Sequence, residues 1–191
     1  MTNIYALKKL PNFSAYDPQF QGAAAKYLES IGIGWLMLKA QGIQESGLNP
    51  LAVSPAGAVG LMQFMPGTWD WVTGSIWPGE NKDRDDPEAS ILAGAAYMAW
   101  LAGASVPGLG RYTGFAKIKP TEERYTFALA AYNAGQGNIQ KARLLAAQSN
   151  QSPDQWWQVS PFLGEVTHGH AEETRTYITN IRGICVALLR A

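Results

Sequence analysis

Apolar positions recur at helical spacing along most of the chain, and prolines and glycines mark where each run begins and ends. Asp17-Pro18 reads as an N-cap followed by a first-turn proline and predicts a helix over about 17–30, with Gly32 ending it. A second helix is predicted over about 33–45, stopped by Ser46-Gly47. Its apolar residues Ile33, Trp35, Leu36, Leu38, Ala40 and Ile43 surround the axis almost completely, the pattern of a central buried helix. The stretch 47–63, rich in glycine, alanine and proline, reads as irregular, with room for short strands or turns.

A short helix follows over about 66–72, then a polar loop over 74–85 with a turn at Pro78-Gly79. Asp86-Pro87 repeats the cap-and-proline signal and opens a helix to about 102. Residues 103–120 read as a glycine-rich loop, Thr121 caps a helix to 134, and Gly135 ends it. Further helices are predicted over about 138–148, after the capping-box form Ser152-Pro153-Asp154-Gln155, and over about 171–189. In the last of these, Tyr177, Ile178, Ile181, Ile184, Cys185 and Leu188 keep helical spacing. With no repeat, low-complexity tract or linker in view, the expectation is one mainly α domain over 1–191 with a loop-rich segment after the second helix.

Composition narrows the classes. With 191 residues, 47% of them apolar and 16% charged, the chain can bury a core and is not disordered. Fifteen basic and fifteen acidic residues leave no broad positive field, so nucleic acid is not an expected partner. Cys185 is the single cysteine, which excludes an intramolecular disulfide and a cysteine metal site; its apolar helical setting predicts a buried, inert thiol. The N-terminal stretch lacks the apolar run of a secretory signal, and the weakly apolar stretch 91–109 is broken by glycines and Pro107, so membrane insertion is not expected.

Glu45 is the first residue that points to chemistry. It closes the most apolar helix, two turns after Leu38 and on the same face. A carboxyl there is expected to be partly desolvated, which favours the protonated form that a general acid for glycosidic cleavage requires. Position alone equally suits a helix-terminal glutamate facing water.

The neighbouring motifs alter that balance. Glu45-Ser46 is followed by Asn49-Pro50, Ala52, Ser54 and Ala56-Gly57-Ala58, then by Gly60-Leu61-Met62-Gln63 with Met65-Pro66 and Thr68. Ala130-Ala131-Tyr132-Asn133-Ala134-Gly135 comes later, and Glu173-Thr174 with Tyr177-Ile178 later still. This ordered set, spanning about 32–181, resembles the soluble lytic transglycosylase family, which implies a goose-type lysozyme-like fold. The resemblance implies that Glu45 is the catalytic acid and base, that Ser54 contacts the sugar or its N-acetyl group, and that Met62, Gln63 and Met65 line the cleft. It also implies that Tyr132 and Asn133 lie near the reacting sugar and that Glu173 is a second acid that binds substrate.

Each of these has a plainer alternative. Ser54 suits a turn before Pro55, Met62 and Met65 suit core filling, and Tyr132 suits a core aromatic with its hydroxyl at the surface. Asn133-Ala134-Gly135 suits a helix terminator. Glu173, four residues before Tyr177, is expected on the inward face of its helix, or else complements the N-terminal end of the helix dipole. Gln63, between apolar neighbours, is harder to explain without a partner for its amide. Trp77, Tyr112 and Phe115 suit either sugar-stacking walls or packing lids, and Trp156-Trp157 suits core or interface packing. His168-Gly169-His170 has no accompanying ligand pattern, so neither a metal nor a cofactor is expected.

The implied reaction needs one carboxyl group. Glu45 protonates the oxygen between N-acetylmuramic acid and N-acetylglucosamine, then accepts a proton from the sugar's own 6-hydroxyl, leaving a 1,6-anhydromuramic acid end. The expected partner is a peptidoglycan glycan strand, met by a monomer. The alternatives are a hydrolytic muramidase or chitinase on the same fold, and a non-catalytic wall-binding or virion module. A signal-less lytic chain resembles a bacteriophage endolysin, made in the host cytoplasm and released through a holin-made pore to the periplasmic wall.

Overall fold

A computed structural model describes residues 4–80 and 82–190. The elements, in chain order, are α1 (Ile4–Leu7), α2 (Asp17–Tyr27), a 3-10 turn (Glu29–Ile31), α3 (Trp35–Ser46), α4 (Pro66–Ile76) and α5 (Pro87–Leu101). They continue with β1 (Ser105–Val106), β2 (Gly110–Arg111), α6 (Thr121–Ala134), α7 (Gln136–Gln148), α8 (Trp156–Val159), a second 3-10 turn (Ser160–Phe162), α9 (Leu163–Val166) and α10 (Ala171–Leu189). The strands are two residues each and pair with one another, so the architecture is mainly α. The chain divides into two compact units: one formed by Met1–Ala99, Val106–Gly110 and Asn180–Ala191, the other by Trp100–Ser105 and Arg111–Thr179.

In the first unit α2 packs on α3, and the helix predicted to run on to residue 30 ends at Tyr27 before the 3-10 turn. Asp17 does not cap α2 as its sequence suggests. It is the first helical residue, Tyr16 takes the cap position, and the Asp17 carboxylate pairs with Lys39 at 2.6 Å. The Lys39 side chain is 3% exposed, and its ammonium lies 4.1 Å from the Phe13 ring centroid. A lysine buried in α3 therefore has both an anion and an aromatic face to offset its lost hydration.

Gly42 shows how tightly α3 is enclosed. A Cβ there would meet Leu61 at 2.9 Å, Phe20 at 3.0 Å and Leu48 at 3.4 Å. The helix ends at Gly47 (φ 65°), which adopts the left-handed conformation that glycine takes without penalty. Asp86 caps α5 as expected, accepting from the amides of Glu88 and Ala89 at 2.9 and 3.0 Å. Cys185 is buried, and desolvation pushes its thiol above the ordinary cysteine value.

In the second unit α6 and α7 pack on one another and are joined at Gly135. Rings stack in series from Trp100 to Tyr112, Phe115, Phe127 and Trp156, with successive centroids 4.8 to 5.7 Å apart. Phe115 is fully buried, so this part of the 103–120 stretch is packing, not a sugar-stacking wall. Arg143, on α7, lies over the Phe115 and Phe127 rings, donates to the Gly114 and Pro153 carbonyls, and pairs with Asp154 at 2.5 Å. Asp154 is thus engaged with Arg143, and Glu123 caps α8 by accepting from Trp156 N at 2.9 Å. The expected Ser152 capping box does not form: α8 begins at Trp156 with Gln155 in the cap position, and Ser152 N donates to Gln158 Oε1 at 2.7 Å instead.

Candidate active site

Glu45 stands in the last turn of α3 and is half-buried. Its neighbour Ser46 fastens that turn to the following segment. Ser46 Oγ donates to the Leu61 carbonyl at 2.8 Å and accepts from the Asn49 amide at 3.1 Å. The segment so fastened is the irregular stretch of the sequence, and it is ordered by antiparallel bridges between Val53 and Val59 and between Val59 and Phe64. Ala52 O accepts from Gly60 N at 3.0 Å, closing the same short structure.

Gln63 lies at the tip of this structure with φ 50°, a left-handed conformation seldom taken outside glycine. Its Nε2 donates to Gly60 O at 2.9 Å and to Ala52 O at 3.1 Å. These two bonds compensate the backbone strain and occupy the amide donors, leaving Oε1 as the side chain's remaining polar atom. Gly60 (φ 88°) makes the turn possible, since a Cβ there would lie 1.9 Å from the Arg84 carbonyl oxygen. On the other side, Arg84 Nη1 donates to Gly57 O at 3.1 Å and to Phe64 O at 3.2 Å.

The remaining candidates of this unit divide by exposure. Met65, before α4, is 44% exposed. Met62 is fully buried, contrary to the expectation that it lines a cleft. Its amide donates to Ser90 Oγ, and its side chain lies against Gly94, where a Cβ would approach it to 3.0 Å. Met62 thus faces α5, where Gly94 leaves room for its side chain. Ser54 is half-buried and shapes a turn, accepting from Ala58 N at 3.0 Å while keeping its O–H as a donor. Asp70, Asp83 and Asp85 are exposed, and Asp86 is engaged in capping α5.

Tyr132, Asn133 and Glu173 belong to the second unit. Tyr132 and Asn133 are half-buried in the last turn of α6. Buried Thr174 donates its hydroxyl to Asn133 Oδ1 at 2.7 Å, which turns Asn133 Nδ2 toward Glu173 Oε1 at 3.4 Å. Glu173 does not face inward: its side chain is 61% exposed and also meets His170 Nδ1 at 2.9 Å. The buried stripe of α10 runs through Thr174, Ile178, Ile181 and Cys185, a helical step away from Glu173. Glu172 and Glu173 together set negative charge at the N-terminal end of α10. Among the described residues no three His, Cys, Asp or Glu side chains gather where they could hold a metal ion. None of the described helices is long and apolar enough to cross a membrane.

Ser46, Arg84 and Ser90 were not singled out by sequence reasoning. Ser46 stood inside a motif but had no local sign of its bond to Leu61. Arg84 and Ser90 act on backbone atoms twenty or more positions away, for which periodicity and spacing carry no signal.

The transglycosylase SLT domain family matches residues 23–155 of the chain. The membrane-bound lytic murein transglycosylase F of Serratia proteamaculans is 37% identical over 183 residues, covering 90% of this chain and 34% of the relative. That of Marinobacter nauticus is 34% identical over 184 residues, covering 91% and 33%. The chain thus spans about a third of the length of the curated relatives it matches. The 70 kDa soluble lytic transglycosylase of Escherichia coli superposes with a TM-score of 0.64 at 26% identity, over 94% of this chain and 24% of that one. The helical architecture is therefore that of the lysozyme-like lytic transglycosylases, and the chain belongs to the transglycosylase SLT domain family.

Proposed function

We propose that the chain is a peptidoglycan lytic transglycosylase that cleaves the β-1,4 bond between N-acetylmuramic acid and N-acetylglucosamine and leaves 1,6-anhydromuramic acid ends. The observation that carries this reading is the joining of Glu45 to the Gln63 structure. Ser46, directly after the acid, is bonded to Leu61, two residues before Gln63. The names of the relatives, lytic murein transglycosylases, point to the same chemistry.

In this mechanism Glu45 donates its proton to the glycosidic oxygen as the C1–O bond breaks. The substrate's N-acetyl group stabilises the positive anomeric centre. The Glu45 carboxylate then takes the proton of the 6-hydroxyl, whose oxygen bonds to C1. Proton, electron pairs and leaving group balance within one sugar and one carboxyl group, and no water is consumed. The attack is intramolecular, which favours it over attack by water. We assign Ser54, Gln63, Met65, Tyr132, Asn133 and Glu173 to substrate binding on the order of their motifs. Met62, fully buried, is left out of that set.

Masses of the soluble muropeptides test the assignment. Anhydromuramic ends are the expected product. Reducing muramic ends alone would make the enzyme a muramidase, and release from chitin oligomers a chitinase. An unaltered wall would leave a wall-binding module. For the biological role we propose wall degradation in host lysis, with the chain reaching the periplasm as a phage endolysin does, through a holin-made pore, and acting as a monomer. The relatives, named membrane-bound lytic murein transglycosylases, suggest the contrasting role of a bacterium's own wall enzyme. Lysis of cells expressing the chain with and without a holin separates the two.

A further inference from the structure

We propose that Arg84 is a positioning residue for this reaction: its guanidinium holds the 57–64 segment, and with it Gln63, in the register that Ser46 ties to the end of α3. The inference rests on the functional reading above for its consequence, though not for its geometry.

One nitrogen of Arg84 spans the segment. Nη1 donates both to Gly57 O at 3.1 Å, where the turn begins, and to Phe64 O at 3.2 Å, where it ends. Phe64 O already accepts from Val59 N at 3.0 Å, so the arginine takes the second lone pair of a bridge carbonyl. The Arg84 backbone closes the other side, against Gly60, where only glycine fits. Trp69 Nε1 donates to Lys82 O at 3.0 Å, anchoring the approach to Arg84 on α4.

The charge of Arg84 is not used in an ion pair among the described residues. A half-buried cation without a carboxylate partner serves through its donors, and the two N–H groups of Nη1, fixed in the guanidinium plane, suit two carbonyls that a freely rotating lysine ammonium would serve less rigidly. Both carbonyls belong to the structure whose tip is Gln63. Without Arg84, Gly57 O loses that donor and Phe64 O keeps only Val59 N, and the strained Gln63 backbone is free to relax out of its left-handed conformation. Arg84 acts through this segment and not on the sugar.

The test compares wild type, Arg84→Met, Arg84→Lys and Glu45→Gln. Methionine keeps the apolar stem but has no donors. Arg84→Met is expected to lower kcat on peptidoglycan by roughly ten- to a hundredfold and to raise KM, because the displaced Gln63 also binds substrate. Amide exchange at Val59 and Phe64 is expected to quicken by at least about tenfold while α3 keeps its protection. Arg84→Lys should recover part of both losses. A wild-type kcat in Arg84→Met, unchanged exchange at Val59 and Phe64, or an equal loss of protection throughout α3 would each overturn the proposal. Should Arg84→Met not fold, Arg84→Lys with wild-type kcat and wild-type exchange would overturn it. Equal turnover by wild type and Glu45→Gln would instead overturn the functional reading, and the exchange data would still decide whether Arg84 clamps the segment.

Discussion

The hydroxyl of Ser46 donates to the carbonyl of Leu61 at 2.8 Å, joining the end of the helix that bears Glu45 to the segment that bears Gln63. Leu61 is fully buried, so its carbonyl has no water to turn to if the bond is lost. Ser46→Ala is therefore expected to lower stability by about 1–3 kcal/mol, the penalty of an unsatisfied buried acceptor. Urea unfolding monitored by circular dichroism reads this directly. Activity should fall by more than the unfolded fraction accounts for, because the same bond sets the distance from the acid to the Gln63 structure.

Glu45→Gln is expected to keep the fold and lose activity by about two to four orders of magnitude, the usual contribution of a general acid or base. The amide is nearly isosteric and cannot donate the proton. Near wild-type release of muropeptides by a correctly folded variant would remove Glu45 from its role.

The Lys39–Asp17 pair joins α3 to α2 from a site where the lysine side chain is 3% exposed. Asp17→Ala leaves that ammonium buried without its counter-charge and is expected to destabilise the protein by about 3–5 kcal/mol. Lys39→Met combined with Asp17→Leu should recover most of the loss, since an apolar pair needs no hydration. Thermal unfolding of the two variants beside the wild type checks both statements, and Asp17→Ala as stable as wild type would contradict them.

Cys185 carries a pH prediction. Burial holds its thiol above the ordinary cysteine value, so the folded chain keeps the proton where the unfolded chain has begun to release it. This contribution to stability is complete below the ordinary thiol value and is lost as pH rises through the folded one. Correspondingly, a thiol reagent should modify the native protein slowly and the urea-unfolded protein rapidly at the same pH. Fast labelling of the native state would show that the thiol is reached without unfolding.

Much of the secondary structure was legible because it is written in local terms. The last helix runs over Ala171–Leu189, as its apolar spacing predicts, and Asp86 caps α5 from a position that capping chemistry marks out. Glu45 at the end of an apolar helix, and the order of the motifs around Gln63 and Tyr132, were likewise visible in the chain. They led to the family that the comparisons establish.

What the sequence could not specify were partners distant along the chain. Asp17 looks like a cap until Lys39 is seen beside it, and Met62 looks like a cleft residue until α5 is seen packed over it. Glu173 shares a nominal face with Tyr177, yet the buried stripe of α10 runs through Thr174 and leaves the glutamate exposed, toward Asn133 and His170. The sequence by itself determined which residue types could perform the chemistry and which helices would carry them. Tertiary structure alone decided which carbonyl each donor reaches, because a hydrogen bond depends on a distance and an angle between atoms that the chain order does not bring together.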